Sequence, residues 1–214
     1  MIYIEVVFDL LYLTSVFYLG VLLVRKRAEN NLYLIFGLMA LTLGFGDMFH
    51  LIPRVVGHLT TGLEDYTYYL GLGKAITSFT MVIFYMLVLY AYEIRFDAKN
   101  IATRIIVITL MIIKVILSLL PQNEWFTNTA TLEFQIIRNI PFVLMGIYLV
   151  VLFIIKARKE NDIPFMKIAI GISLSFLFYI PVVLFAPAVP AVGALMMPKT
   201  LAYVYVIYVA FKEI

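Results

Sequence analysis

The chain has 214 residues, of which 64% are hydrophobic and 14% charged, with a mean hydropathy of +1.03. A soluble domain carries about 25% charged residues, so this composition marks an integral membrane protein with little chain left for a separate soluble domain. A net charge of +3 is too small to point to nucleic acid, and the absence of cysteine excludes disulfides, thiolate metal sites and a cysteine nucleophile.

Apolar runs predict an all-α, polytopic fold, a single domain over 1–214 with seven transmembrane helices near 3–24, 32–53, 66–92, 101–120, 133–155, 165–185 and 194–211. The first run follows no basic stretch and no small-residue cleavage site, so it reads as a retained helix. Eleven of the 16 Lys and Arg (Arg25, Lys26, Arg27, Arg95, Lys99, Arg104, Lys156, Arg158, Lys159, Lys167 and Lys212) fall on one set of alternate loops and their flanks. Basic loops favour the cytoplasmic side, which predicts an outside N-terminus, a cytoplasmic C-terminus and a multi-pass protein of the cell membrane. Trp125, Tyr66, Tyr68 and Tyr69 then sit at the outer headgroup zone.

Helix 1 carries Glu5, Asp9 and Tyr12 on one face. Glu5 reads as a solvated acidic flank, whereas Asp9 lies on the order of 10 Å deep. Helix 2 is expected to stop at Pro53, after the stretch Gly46-Asp47-Met48-Phe49-His50-Leu51-Ile52-Pro53-Arg54. Asp47, His50 and Arg54 are spaced to share a face, where a carboxylate beside an imidazole suits acid–base work and an arginine fork suits a carboxylate or phosphate. As a structural alternative, the same triplet is an internal salt bridge closing the helix end. Helix 3 opens with Gly71-Leu72-Gly73-Lys74, with Ser78 four residues on. A Ser-Lys nucleophile competes there with plain small-residue helix packing.

Lys114 stands alone in the aliphatic run of helix 4, with a stem long enough to snorkel to the outer interface as an alternative to facing the other charges. Helix 5 opens with Gln135, Arg138, Asn139 and Pro141. Helix 6 places Tyr179 and Pro181 at a matching depth, and helix 7 opens with Pro198-Lys199-Thr200, with Tyr203 one turn further in. Helices 2, 5 and 6 are read as proline-broken, their freed carbonyls open to a ligand, water or a neighbouring helix.

Asp9, Asp47, Lys74, Lys114, Arg138 and Lys199 all fall in the outer half of the membrane by this tracing. Facing lipid, these six would together cost on the order of 10–20 kcal/mol, more than a marginally stable fold withstands. They are therefore expected to converge on a hydrated pocket with excess positive charge. Its ligand set is Asp9, Asp47, His50, Arg54, Lys74, Ser78, Arg138, Asn139, Lys199 and Tyr203. An anionic or zwitterionic small molecule, or a membrane lipid headgroup, completes the balance, with no cofactor, metal or nucleic acid implied. The function expected is binding or transport of such a ligand through an outward-facing pocket.

Tyr18–Asn31 (YLGVLLVRKRAENN) and Tyr148–Asp162 (YLVVLFIIKARKEND) read alike, and the helix after each carries Ile-Pro, at Ile52-Pro53 and Ile180-Pro181. Either this is compositional likeness, or 1–95 and 133–214 are parallel repeats joined by the linker helix 101–120. The second arrangement resembles the three-plus-one-plus-three plan of sugar-transporting and opsin-like proteins.

GDMFHLIPR is similar to a GDxxHLxPR stretch of bacterial seven-helix membrane proteins, a resemblance that supplies no activity. Through Gly46, Asp47, Leu51, Pro53 and Arg54 it also resembles a helix of lysoplasmalogenase-like proteins, although that family's early Lys-Pro helix and an eighth span are not found. This second resemblance implies an intramembrane lipid hydrolase with Asp47, and beside it His50, as catalytic acid/base groups. A retinal Schiff base on Lys199, as in opsins, has against it a single tryptophan and no acidic residue within helix 3. Zinc hydrolysis has only His50 and His58 to draw on.

Overall fold

The computed structural model describes residues 2–127 and 129–214. Among the described residues, seven α-helices are long and apolar enough to cross a membrane. They are α1 (Ile2–Arg25), α2 (Asn31–Leu59), α3 (Thr67–Phe96), α4 (Ile101–Leu119), α5 (Leu132–Glu160), α6 (Ile163–Phe185) and α7 (Met196–Glu213). Helix accounts for 88% of the described residues, so the connections between spans are short.

Local chemistry sets the helix starts. Asn30 Oδ1 accepts from the Leu32 amide at 2.9 Å, Asn100 Oδ1 from Ala102 at 2.8 Å, and Asp162 Oδ1 from Phe165 at 3.1 Å. Each satisfies an amide that the first turn leaves without a carbonyl partner. Asp97 and Asn161 end α3 and α5 in the left-handed conformation, with φ of 43° and 54°. Several helices outrun the expected ends: α5 continues through Lys156, Arg158 and Lys159, cations that suit a helix C-terminus.

The prolines correct the sequence reading. The helices α2, α5 and α6 run without interruption through Pro53, Pro141 and Pro181, and α2 extends to Leu59. Pro53 cannot bond the Phe49 carbonyl one turn back. The backbone of α3 arrives there at Gly73, where a Cβ would lie 2.4 Å from the Phe49 oxygen and 2.4 Å from His50 Cβ. Glycine is what lets the two helices meet so closely beside the proline.

The helices close into a ring in chain order, with α1 packed on both α2 and α7 and with α3 reaching inward. Tyr85 of α3 is fully buried and meets Phe142 of α5, Phe176 of α6 and Tyr203 of α7, exchanging a 3.0 Å hydroxyl contact with the last. A second aromatic group, Phe36, Phe96, Phe153 and Phe165, fills the bundle further along. Apolar residues such as Ile105, Ile112 and Ile116 of α4 point outward, as lipid-facing positions do.

Antiparallel packing gives the bundle a near end, where α1 starts, and a far end, where it finishes. At the far end cations meet acids: Arg104 forks onto Glu93 at 2.6 and 2.7 Å, Arg95 Nε reaches Asp162 at 2.6 Å, and Lys167 reaches Glu213 at 2.7 and 2.8 Å. The near end is built differently.

Candidate ligand site at the near end

Two linked polar groups occupy the near end. The first lies on the α1–α2–α7 side. Tyr12, 3% exposed, donates to Asp47 Oδ2 at 2.5 Å, and Asp47 is 6% exposed. One turn before Tyr12, Asp9 is 5% exposed and lies in the field of Arg54, Glu5 and Asp47. Glu5 pairs with Arg54 and stands 3.6 Å from His58 Nε2. Glu5 is therefore an interhelical ion-pair partner, not the solvated flank expected. The face shared by Glu5, Asp9 and Tyr12 is the seam of α1 on α2.

Asp47 and Arg54 both turn to α1, whereas His50 turns to α3. The cause is helical geometry: seven residues nearly complete two turns, while three fall about 60° short of one. His50 Nδ1 lies 3.2 Å from Thr77 Oγ1, which donates to the Gly46 carbonyl at 3.0 Å. Asp47 and His50 thus take different partners and make no hydrogen bond to each other among the described residues. Asp47, Lys199, Arg54 and Lys74 together set the field at His50.

The second group joins α4, α5, α6 and the α4–α5 connection. Lys114, 3% exposed, points inward and donates to Asn139 Oδ1 at 3.4 Å, so of the two arrangements open to it the inward one is taken. Tyr179 donates to the same oxygen at 2.9 Å, and Asn139 Nδ2 holds the Gln135 carbonyl at 2.8 Å. Arg138 Nη1 donates to Asn123 at 2.9 Å, and its guanidinium lies 4.2 Å from the Trp125 ring centre. Trp125 itself donates to the Ser118 carbonyl at 3.0 Å. Beyond an interfacial anchor, it is the platform under an arginine. Its carbonyl would lie 1.5 Å from a Cβ on Gly71, so the connection packs directly on the α3 backbone.

Lys199 links the two groups. It is 7% exposed, and its Nζ lies 5.5 Å from the Tyr179 ring centre and 5.6 Å from that of Tyr203, in the field of Asp47. Lysine over aromatic faces is a favourable cation–π arrangement. No carboxylate lies within ion-pair distance of Lys199, Lys114 or Arg138 among the described residues. Lys74 is exposed at the same end, in the field of Arg138 and Arg54, so it and Lys199 occupy unlike environments. Ser78 meets Ser118 of α4 at 2.9 Å.

Asp9, Asp47, His50, Arg54, Lys74, Arg138, Asn139, Lys199 and Tyr203 therefore share one end of the bundle, and Ser78 forms part of the α3–α4 contact there. Tyr12, Thr77, Lys114, Asn123, Trp125 and Tyr179 were not in the expected ligand set. The 1-5-8 spacing of Glu5, Asp9 and Tyr12, continued from the acids, was the signal for Tyr12, and nothing in the sequence marks Asn123. Among the described residues no group of three His, Asp or Glu could hold a metal ion. No family model, curated protein or solved structure matches the chain.

Proposed function

We propose that the near end is a binding chamber for a small anionic or zwitterionic ligand, a metabolite or a lipid headgroup, and that the protein binds or transports it across the cell membrane. The carrying observation is the mismatch between cations and acids. Lys199, Lys114 and Arg138 lie within the apolar spans with aromatic or amide partners and, among the described residues, no carboxylate within 4.0 Å, while Arg54 is already paired with Glu5. Buried charges are costly unless paired or hydrated, and at the far end the buried carboxylates of Glu93 and Asp162 are each met by an arginine. Departure from it at one end is the mark of a site whose counter-charge arrives from outside.

The charge bias of the loops supports an orientation in which the near end faces away from the cytoplasm. In this reading the outer α1–α2 contact, Arg54 with Glu5, lies at the rim, and Lys199 lies at the floor. The likeness of Tyr18–Asn31 to Tyr148–Asp162 supports two parallel three-helix halves around the chamber, as transporters often have.

Thermal unfolding of the purified protein tests the proposal, with sn-glycerol 3-phosphate and inorganic phosphate as probes and glycerol as the uncharged control. Saturation at 100 times Kd stabilises a protein by about 2.7 kcal/mol. Anions should raise Tm and glycerol should not, and Lys199→Met should remove the rise while Lys159→Met keeps it. Equal responses to glycerol and the anions, or an undiminished rise in Lys199→Met, would reject the chamber.

A further inference from the structure

A groove of about 250 Å³ with an apolar surface lies between α5 and α6, and two of the residues beside it, Asn139 and Tyr179, belong to the near-end site. Ile140, Val143, Val183 and Leu184 form its sides, and Asn139 and Tyr179 line it through their apolar atoms, their polar ends turned to the interior. Behind those two stand the unmatched cations: Lys114 bonds Asn139, and Lys199 lies over the ring of Tyr179. Asn139 accepts from both Tyr179 and Lys114 through one oxygen, so groove and cations are joined by direct contacts.

Neither half is explained alone. A soluble anion has no use for an apolar channel between two transmembrane helices. An acyl chain has no use for two buried ammonium groups. We infer that the occupant is an anionic glycerophospholipid, with one acyl chain in the α5–α6 groove and its phosphate drawn toward Lys114 and Lys199. The volume fits this division, because sites enclosing a whole drug-sized molecule measure about 300–1,000 Å³. This one seats a segment of chain and leaves the headgroup to the chamber. Charge complementarity selects the headgroup class, since the cations at this position lack acids and a phosphodiester supplies the missing negative charge. The inference rests on the proposed chamber and narrows its ligand from any small anion to a lipid.

The test uses the intact protein in nanodiscs of equal phosphatidylglycerol and phosphatidylcholine, followed by native mass spectrometry of retained lipid. Phosphatidylglycerol should be retained at least tenfold over phosphatidylcholine. Val183→Trp, which fills the groove, should remove that preference and keep the Tm rise given by sn-glycerol 3-phosphate. Lys114→Met should reduce the preference with the groove left open. A phosphatidylglycerol carrying a diazirine in its acyl chain should cross-link to peptides of α5 and α6 in the unmodified protein, competed by phosphatidylglycerol and not by phosphatidylcholine. That measurement stands even where Val183→Trp fails to fold. Equal retention of the two lipids, or cross-links spread evenly over all seven helices, overturns the lipid assignment. If sn-glycerol 3-phosphate still raises Tm, the chamber survives that result. If neither the lipid nor the soluble phosphate binds, both readings fall.

Discussion

Removing the Tyr12 hydroxyl isolates the interaction that joins α1 to α2 at the level of the chamber. The bond is buried on both sides, and its 2.5 Å length falls in the range of about 2.5–2.7 Å found for a hydroxyl donating to an ionised acceptor. Hydrogen bonds to charged groups contribute about 1.5–3 kcal/mol, against about 0.6 kcal/mol for an average interhelical bond measured in a membrane protein. Membrane measurements reach about 1.7 kcal/mol at most, because the unfolded chain also finds partners in the bilayer. The two limits together place the Tyr12–Asp47 coupling at about 1–2 kcal/mol.

Tyr12→Phe keeps the ring and removes only the donor. Its cost contains both the lost bond and the carboxylate left without a partner, so the single variant overstates the bond. A double-mutant cycle of Tyr12→Phe with Asp47→Asn separates them. Reversible unfolding in mixed micelles, titrated with denaturing detergent, is the assay. A coupling of about 1–2 kcal/mol is expected, with Tyr12→Phe destabilising on its own. Coupling below about 0.3 kcal/mol, the ordinary error of additivity, would show that the contact does not hold the seam. The near end would then owe its geometry to apolar packing alone.

Lys114→Met exchanges a buried, acid-free cation for an apolar chain of similar length. By the behaviour of buried charges it should leave stability unchanged or raise it by about 1–4 kcal/mol, and a large loss in the same detergent titration would make Lys114 structural. Gly73→Ala places a methyl group against Phe49 and His50 and should cost about 1–3 kcal/mol, whereas Gly193→Ala, with open space around it, should stay within about 0.5 kcal/mol. At the far end, Arg104→Met strands Glu93, which is 2% exposed, and should lower the unfolding midpoint by more than Lys156→Met, which breaks only a surface i,i+4 pair. Because the chain has no cysteine, Thr127→Cys and Lys159→Cys can be labelled separately with a membrane-impermeant maleimide on whole cells. Only Thr127→Cys should react, and the reverse pattern would invert the proposed orientation.

The depth of each charged residue could be read from the chain, but not its neighbour. Depth follows from counting: helices that alternate in direction convert a position in the sequence into a height, at about 1.5 Å per residue. That is why Asp9, Asp47, Arg138 and Lys199 were expected at one end, and why all four lie there on four different helices. Azimuth does not follow from counting. Inside a bilayer the core side and the lipid side of a helix are both apolar, so the pattern that orients a helix in a soluble protein is weak. Lys114 shows the consequence, since an isolated lysine in an aliphatic run reads equally as snorkelling outward or bonding inward, and Asn139 decides between them.

The helix ends failed for a related reason. Pro53 reads as a stop because it cannot bond the Phe49 carbonyl, yet α2 continues six residues beyond it to Leu59. In a membrane, a continued helix still satisfies every other backbone group, and an early stop would leave several without partners. The helical continuation past the proline fixes the direction of Arg54, which pairs with Glu5 of α1, and also brings His58 to 3.6 Å from the same carboxylate. The cation excess withstands these errors because it depends on depth alone. Lys114 stays in that count with an amide as its partner, and Arg54, paired with Glu5, leaves the excess unchanged.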